Sequence, residues 1–345
     1  MFTYVYLGLI GFLLSLIGVA LIRRLALHRE LLDVPNERSS HTTPTPRGGG
    51  LAIAVIVLVG FVVFQMLRGM LSPRTFFGYL LGALIIAGIS AADDLFNVAA
   101  TIRLPIHLVA AVAFALMAGF VNRVYVPFWG DVHLGWFGLP LTVLWIVWFT
   151  NAFNFMDGID GIAAGQAIVA GVYWIVISVA LGIPSLATLS VLVAGASLGF
   201  LFHNMPPARI FMGDVGSTVL GFTFAVLPVL AFNATGDARL FVVGTLCVAP
   251  FVFDAALTIV RRALARQRLL QAHRSHLYQR LTQLGYYHGS VTLLYIATGM
   301  LTGLMGLAYL WGSDLAAVLA LFLAVVVLAL IAAGVTWLEH TEARS

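Results

Sequence analysis

The stretch NAFNFMDGIDGIAAG, residues 151–165, decides how the rest of the chain is read. It is a polar seam of asparagine, aspartate and glycine set between long apolar runs. Such runs recur: the 345 residues are 61% hydrophobic and 9% charged, with a mean hydropathy of +1.02. Soluble domains carry about 25% charged residues, so a soluble fold is excluded. Many runs reach the roughly 20 residues a helix needs to cross a bilayer. Backbone groups in lipid must be satisfied internally, and these runs are continuous rather than alternating, against a β-barrel. The expected fold is all-α: a polytopic membrane helical bundle forming a single domain over residues 1–345.

Apolar runs between polar punctuation give about eleven transmembrane helices, near 3–22, 49–67, 75–92, 103–120, 139–152, 161–181, 186–203, 217–232, 240–260, 289–310 and 314–337. The fifth is short and follows a mixed stretch, YVPFWGDVHLGWFG, that suits the membrane interface. Residues 4–22 begin without a basic leader and read as a first span rather than a cleavable signal. The single cysteine, Cys247, excludes a disulfide framework. There is no lysine, so all 18 basic residues are arginine. With the N-terminus outside, 14 arginines fall in the cytoplasmic loops and C-terminal tail and 4 on the other side. That asymmetry predicts a cytoplasmic C-terminus and gathers the acidic motifs at the cytoplasmic face.

Four acidic or glycine-rich motifs and two basic loops converge there. Asp93 and Asp94 end the third span; alone, the pair also fits solvated acids at a helix end, the lesser of the two readings. In FMGDVGS, Asp214 lies between Gly213 and Gly216 and opens the eighth span, as a helix cap or as a carboxylate beside a phosphate cradle. Asp157 and Asp160 stand three apart and share a face if the segment is helical; it reads equally as a polar turn. The loop HRELLDVPNERSSHTTPTPRGGG carries His41 and Arg47. The six-arginine loop from Arg261 to Gly289 brings His273, His276 and Arg280 close together, and Arg with His suits phosphate capture. Positive-inside topology explains a basic loop by itself. Zinc-site and P-loop patterns are absent. Metal plus phosphate accounts for the whole set, because Mg²⁺ takes a few carboxylates together with substrate phosphates.

These motifs, NAFNFMDGIDGIAAG, AADDL, FMGDVGS and PTPRGGG, resemble the polyprenyl-phosphate N-acetylhexosamine-1-phosphate transferases, the WecA and MraY superfamily. The resemblance runs from about Asp33 to Leu281, and HRSHLYQRL is most similar to the WbpL-like branch that initiates O-antigen. It implies that a UDP-N-acetyl sugar gives its sugar-1-phosphate to undecaprenyl phosphate at the cytoplasmic face of the bacterial inner membrane. The products are undecaprenyl-diphosphate-sugar and UMP, and Mg²⁺ is required, with Mn²⁺ as a substitute. The partners are donor, acceptor and bilayer, with no nucleic acid and homodimerisation left open.

The matched positions imply roles. Asp214 is the metal carboxylate, Asp93 the base that readies the lipid phosphate, and Asp94 its support and a second metal group. Asn154, Asp157 and Asp160 match the donor motif, with Asp160 on uracil. Asn204 and Phe211 match nucleoside-binding positions, and His276 matches a histidine on the donor pyrophosphate. Tyr278 and Gln279 stand where further histidines are frequent. The family's lysines are missing, so His41, Arg47 or Arg103 supplies that charge, and Arg280 joins in binding substrate. A secondary transporter with clustered carboxylates is the rival reading. A CDP-alcohol phosphotransferase is disfavoured because DGIDGIAAG lacks its arginine, and an outward-facing glycosyltransferase conflicts with the arginine asymmetry.

Overall fold

The structure, a computed structural model, describes residues 2–35, 43–268 and 273–342. Its helices follow the apolar runs: α1 (Phe2–His28), α2 (Gly50–Arg68), α3 (Pro73–Phe96), α4 (Ala100–Ala118), α5 (Gly138–Phe155), α6 (Ile162–Ala180), α7 (Pro184–Asn204) and α8 (Asp214–Thr235). They continue with α9 (Leu240–Cys247), α10 (Ala249–Leu264), the short α11 (Leu277–Gln283), α12 (His288–Trp311) and α13 (Asp314–Glu342). Among the described residues ten helices are long and apolar enough to cross a membrane, and α9 with α10 makes an eleventh if counted as one span. The chain is an all-α, multi-pass membrane bundle.

The expected ninth span is broken. α9 and α10 are bent 83° apart, and Pro250 stands in the first turn of α10. Proline has no N–H to continue the helix and pushes the residue before it away from helical geometry. Beyond Ala249 and Pro250, the buried residues of α10, Phe251, Asp254, Ala255, Thr258 and Arg262, recur at helical spacing on one stripe.

At the centre stands α8, in which every residue from Val215 to Phe232 is buried. A helix that is apolar all round belongs inside a bundle. Side-chain hydrogen bonds set α3 against it, Ser90 Oγ to Thr218 Oγ1 at 2.7 Å and Tyr79 Oη to Thr223 Oγ1 at 3.0 Å. α2 crosses it at a pair of glycines: a Cβ on Gly50 would lie 2.5 Å from Gly216 Cα, and the reverse holds equally.

The mixed stretch before α5 forms an antiparallel hairpin, β3 (Arg123–Val126) with β4 (Gly130–His133). β1 (Leu32–Asp33) pairs with β2 (Thr45–Pro46) at the opposite end of the bundle. The β3–β4 hairpin is bolted to the helices by Tyr309 Oη, which donates to Tyr125 O at 2.8 Å, and by Arg239, whose guanidinium lies 4.2 Å from the Tyr125 ring centre. Phe128, Trp129, Trp136 and Phe137 stay exposed around it, as expected of an aromatic belt at a membrane interface.

Candidate active site

The ends of α1, α3, α5 and α7 and the starts of α2, α4, α6, α8 and α12 meet at one end of the bundle. The PRGGG run docks there on the IFMGD run through the backbone. Phe211 N donates to Pro46 O at 2.8 Å, Gly49 N to Phe211 O at 2.9 Å and Gly50 N to Met212 O at 2.8 Å. This pairing carries Arg47 to Asp214.

Asp214 is the first residue of α8, and its carboxylate lies between two guanidinium groups. Arg47 Nη2 is 2.9 Å from its Oδ1 and Arg103 Nη1 is 3.0 Å from its Oδ2. Arg103 Nη1 also bonds Asp93, so Asp93 and Asp214 share one cation. Asp94 faces the other way. Its Oδ1 accepts from Asp214 N at 2.9 Å and its Oδ2 from Val215 N at 3.1 Å, so it caps α8. Arg47 Nη2 lies 2.9 Å from Asp94 Oδ1 as well. Burial works against the Arg47 charge, and Asp214 and Asp94 outweigh it, raising the guanidinium above its ordinary range.

Beside this cluster opens a cavity of about 810 Å³. Its lining includes Arg47, Asp93, Arg103, Asn154, Asp157, Asp160, Asn204, Phe211 and Asp214, all expected from the sequence. Asp33, Asn97, Gln279 and His288 line it too and were given no role: Asp33 and Gln279 lie in loops read for other residues, Asn97 follows the acidic pair, and no motif marks His288. Five aspartates against two arginines leave the lining with an acid excess. The Asp157 backbone N donates to Asn154 O at 3.1 Å, but its carboxylate has no hydrogen-bond or ion-pair partner among the described residues. Burial first, then the Asp214 charge, holds its carboxyl well above the usual range.

The DGIDG segment is a loop, not a helical turn. Asp157 and Asp160 therefore share the cavity without sharing a helix face. Gly161 takes φ +79°, which reverses the chain into α6. Asp160 Oδ2 accepts from Ala208 N at 3.0 Å. Asn204 Oδ1 accepts from Gly161 N at 2.8 Å while its Nδ2 donates to Ile210 O at 3.0 Å. These two side chains thus clasp the loops before α6 and α8 together. Asn154 Oδ1 accepts from Ser217 Oγ at 2.6 Å.

A family model for glycosyl transferase family 4 matches residues 76–232. A Bacillus subtilis protein described as a probable undecaprenyl-phosphate N-acetylglucosaminyl 1-phosphate transferase is 33% identical over 293 residues, covering 83% of this chain and 81% of its own. The decaprenyl-phosphate N-acetylglucosaminephosphotransferase of Mycobacterium tuberculosis is 33% identical over 316 residues, 83% of this chain and 78% of that one. The chain belongs to the WecA/MraY superfamily. The superfamily's other arm is also similar: a Listeria monocytogenes phospho-N-acetylmuramoyl-pentapeptide-transferase is 28% identical over 237 residues, 64% of this chain and 73% of its own. The protein is accordingly a polyprenyl-phosphate N-acetylhexosamine-1-phosphate transferase.

Not every expected residue of the transferase reaches the cavity. His276 is buried with Nδ1 3.3 Å from Asp254 Oδ1, and it is absent from the cavity lining. Arg280 pairs with Glu339 of α13 and ties α11 to the last helix. Both are drawn away by carboxylates more than 20 residues distant in sequence, which loop spacing does not reveal. His41 lies outside the described residues.

Proposed function

We propose that the protein moves an N-acetylhexosamine-1-phosphate from a UDP-sugar to undecaprenyl phosphate at the cytoplasmic face, releasing UMP and starting a surface polysaccharide such as O-antigen. The observation that carries this reading is the meeting of Asp93, Asp214, Arg47 and Arg103 at one polar cavity, reached from the bundle end that holds the arginine-rich loops. A secondary transporter would want its carboxylates along a path through the bundle, whereas these gather at one end.

The reacting groups are all anionic, so the residues must position them and neutralise charge. Arg47 and Arg103 are placed to donate to phosphate oxygens, since each already bonds carboxylates that a phosphate can replace. Asp93 faces the lipid phosphate as its base. That phosphate is already ionised at neutral pH, so the base has little to remove and direct displacement at the donor's β-phosphorus needs no covalent enzyme intermediate. Phe211 offers a ring to uracil, and Asp160 an acceptor to its N–H.

Among the described residues no group of three or more His, Cys, Asp or Glu forms a ready metal cage. The donor set nevertheless fits Mg²⁺, which keeps several waters and needs only one or two carboxylates beside substrate phosphates. The acid excess and the unpartnered Asp157 carboxylate supply that need, so Asp214 and Asp157 would hold the ion. Asp94 leaves the metal set in this proposal: both its oxygens are spent on the α8 backbone, and it acts by fixing Asp214. When bound, the ion would screen the pyrophosphate and stabilise the leaving UMP.

The test is a transfer assay on purified protein with undecaprenyl phosphate, Mg²⁺ and a panel of UDP-N-acetyl sugars. Equal amounts of UMP and lipid-linked sugar with one donor are expected. Neither product from any donor, with folding and lipid supply verified, would sink the reading.

A further inference from the structure

The buried carboxylate of Asp254 has no part in the chemistry above, yet it is among the most heavily bonded side chains in the protein. It is 1% exposed and sits on the inner stripe of α10, beyond the break from α9. Its Oδ1 accepts from Leu277 N at 2.8 Å, and its Oδ2 from Tyr278 N at 3.3 Å and from Tyr295 Oη of α12 at 2.6 Å. Thr258 Oγ1 at 3.2 Å and His276 Nδ1 at 3.3 Å complete its surroundings. A charge this deep is costly unless its lone pairs are satisfied, and here they are satisfied by three elements at once. Two of those bonds cap the first turn of α11. With seven residues, α11 is too short to stand without such support.

The next link is Tyr278, also fully buried. Its hydroxyl donates to Phe155 O at 2.8 Å, at the last residue of α5. It also lies over Gly158, where a Cβ would come within 2.0 Å of the Tyr278 Oη. Gly158 stands between Asp157 and Asp160 in the cavity wall. Gln279, the residue after Tyr278, lines the same cavity.

We propose that Asp254, acting through Tyr278, is a positioning residue for the DGIDG loop, setting where the sugar-nucleotide end of the site lies. This rests on the donor-binding reading of that loop. Asp254 touches neither the cavity nor the reacting atoms, so its effect should appear in donor binding and in loop protection, not in the chemical step.

The test uses the full chain in nanodiscs with D254N, Y278F and the double variant. D254N keeps the shape but presents an amide N–H₂ toward backbone N–H groups that need an acceptor. Y278F keeps the ring and removes the bond to Phe155. Amide hydrogen exchange over residues 156–161 should speed about tenfold in each single variant, and the donor KM should rise by a similar factor. The acceptor KM should stay at the wild-type value in every variant; the melting midpoint should stay at the wild-type value in Y278F and fall in D254N, which leaves buried donors unsatisfied. Because both residues act through one chain of contacts, the double variant should be no worse than the more impaired of the two single variants. Unchanged exchange over 156–161, multiplying effects in the double variant, or losses that track the melting midpoint would overturn the proposal. Faster exchange in a protein whose wild type turns over no UDP-sugar would uphold the brace and remove the donor reading instead.

Discussion

Asp93 and Asp94 are neighbours with opposite duties. The first shares Arg103 with Asp214 at the cavity, while the second turns inward and caps α8. Asp214 therefore owes its place to Asp94 and its charge balance to the two arginines. Asp214→Asn should cut turnover by about 10²–10³-fold or more, with the protein still folded in the membrane, as read by UMP release alongside a melting curve. Gly213 makes the arrangement possible. Its φ of +79° and ψ of 167° belong to a region only glycine occupies readily. A Cβ there would also stand 3.0 Å from Asp94 Oδ2. Gly213→Ala should destabilise the protein by about 1–3 kcal/mol and lower activity, which a melting curve and the transfer assay would show. The acidic pair and the glycines were legible in the sequence, but the division of labour was not. Which of two adjacent carboxylates meets a helix N-terminus 120 residues away depends on how α3 and α8 are registered.

The elements followed the apolar runs closely, because span length and polarity are set by the bilayer and are local in sequence. What escaped the sequence were features fixed by tertiary contact: the direction taken after the α9–α10 break, the seven-residue α11, and the destinations of His276 and Arg280. The loop leading into α11 also carries a pH response. Burial first, then the nearby His276 and Arg262, pushes His273 down to about 4 from 6.5. A folded value below the unfolded one means that the unfolded chain binds the proton more readily between those limits. The stability this neutral histidine contributes is therefore full above pH 6.5 and is lost as pH falls toward 4. Melting midpoints measured from pH 7.5 to 5 should decline through that window, and His273→Gln should flatten the decline.

For the whole molecule, eleven crossings, with α9 and α10 counted as one, would put the two termini on opposite sides, and the arginine asymmetry predicts that the C-terminus is the cytoplasmic one. The broken span makes this a real test, since a bent pair that failed to cross would return both ends to one side. Cys247 is buried, so single cysteines introduced at Phe2 and at Ser345 can be labelled cleanly with an impermeant reagent. In intact spheroplasts the first should react and the second should react only after lysis.

The β3–β4 hairpin sits at the far end of the bundle from the cavity, fastened to the helices and ringed by exposed aromatic side chains. Rings of that kind settle at headgroup level, so the hairpin is built to float at one face of the bilayer while the cavity opens at the other. The distance between them is fixed by the length of the helices. Bilayer thickness then decides how far the cavity stands from the lipid phosphates, and a lipid mixture that is too thick or too thin would slow the enzyme without altering a single contact inside it.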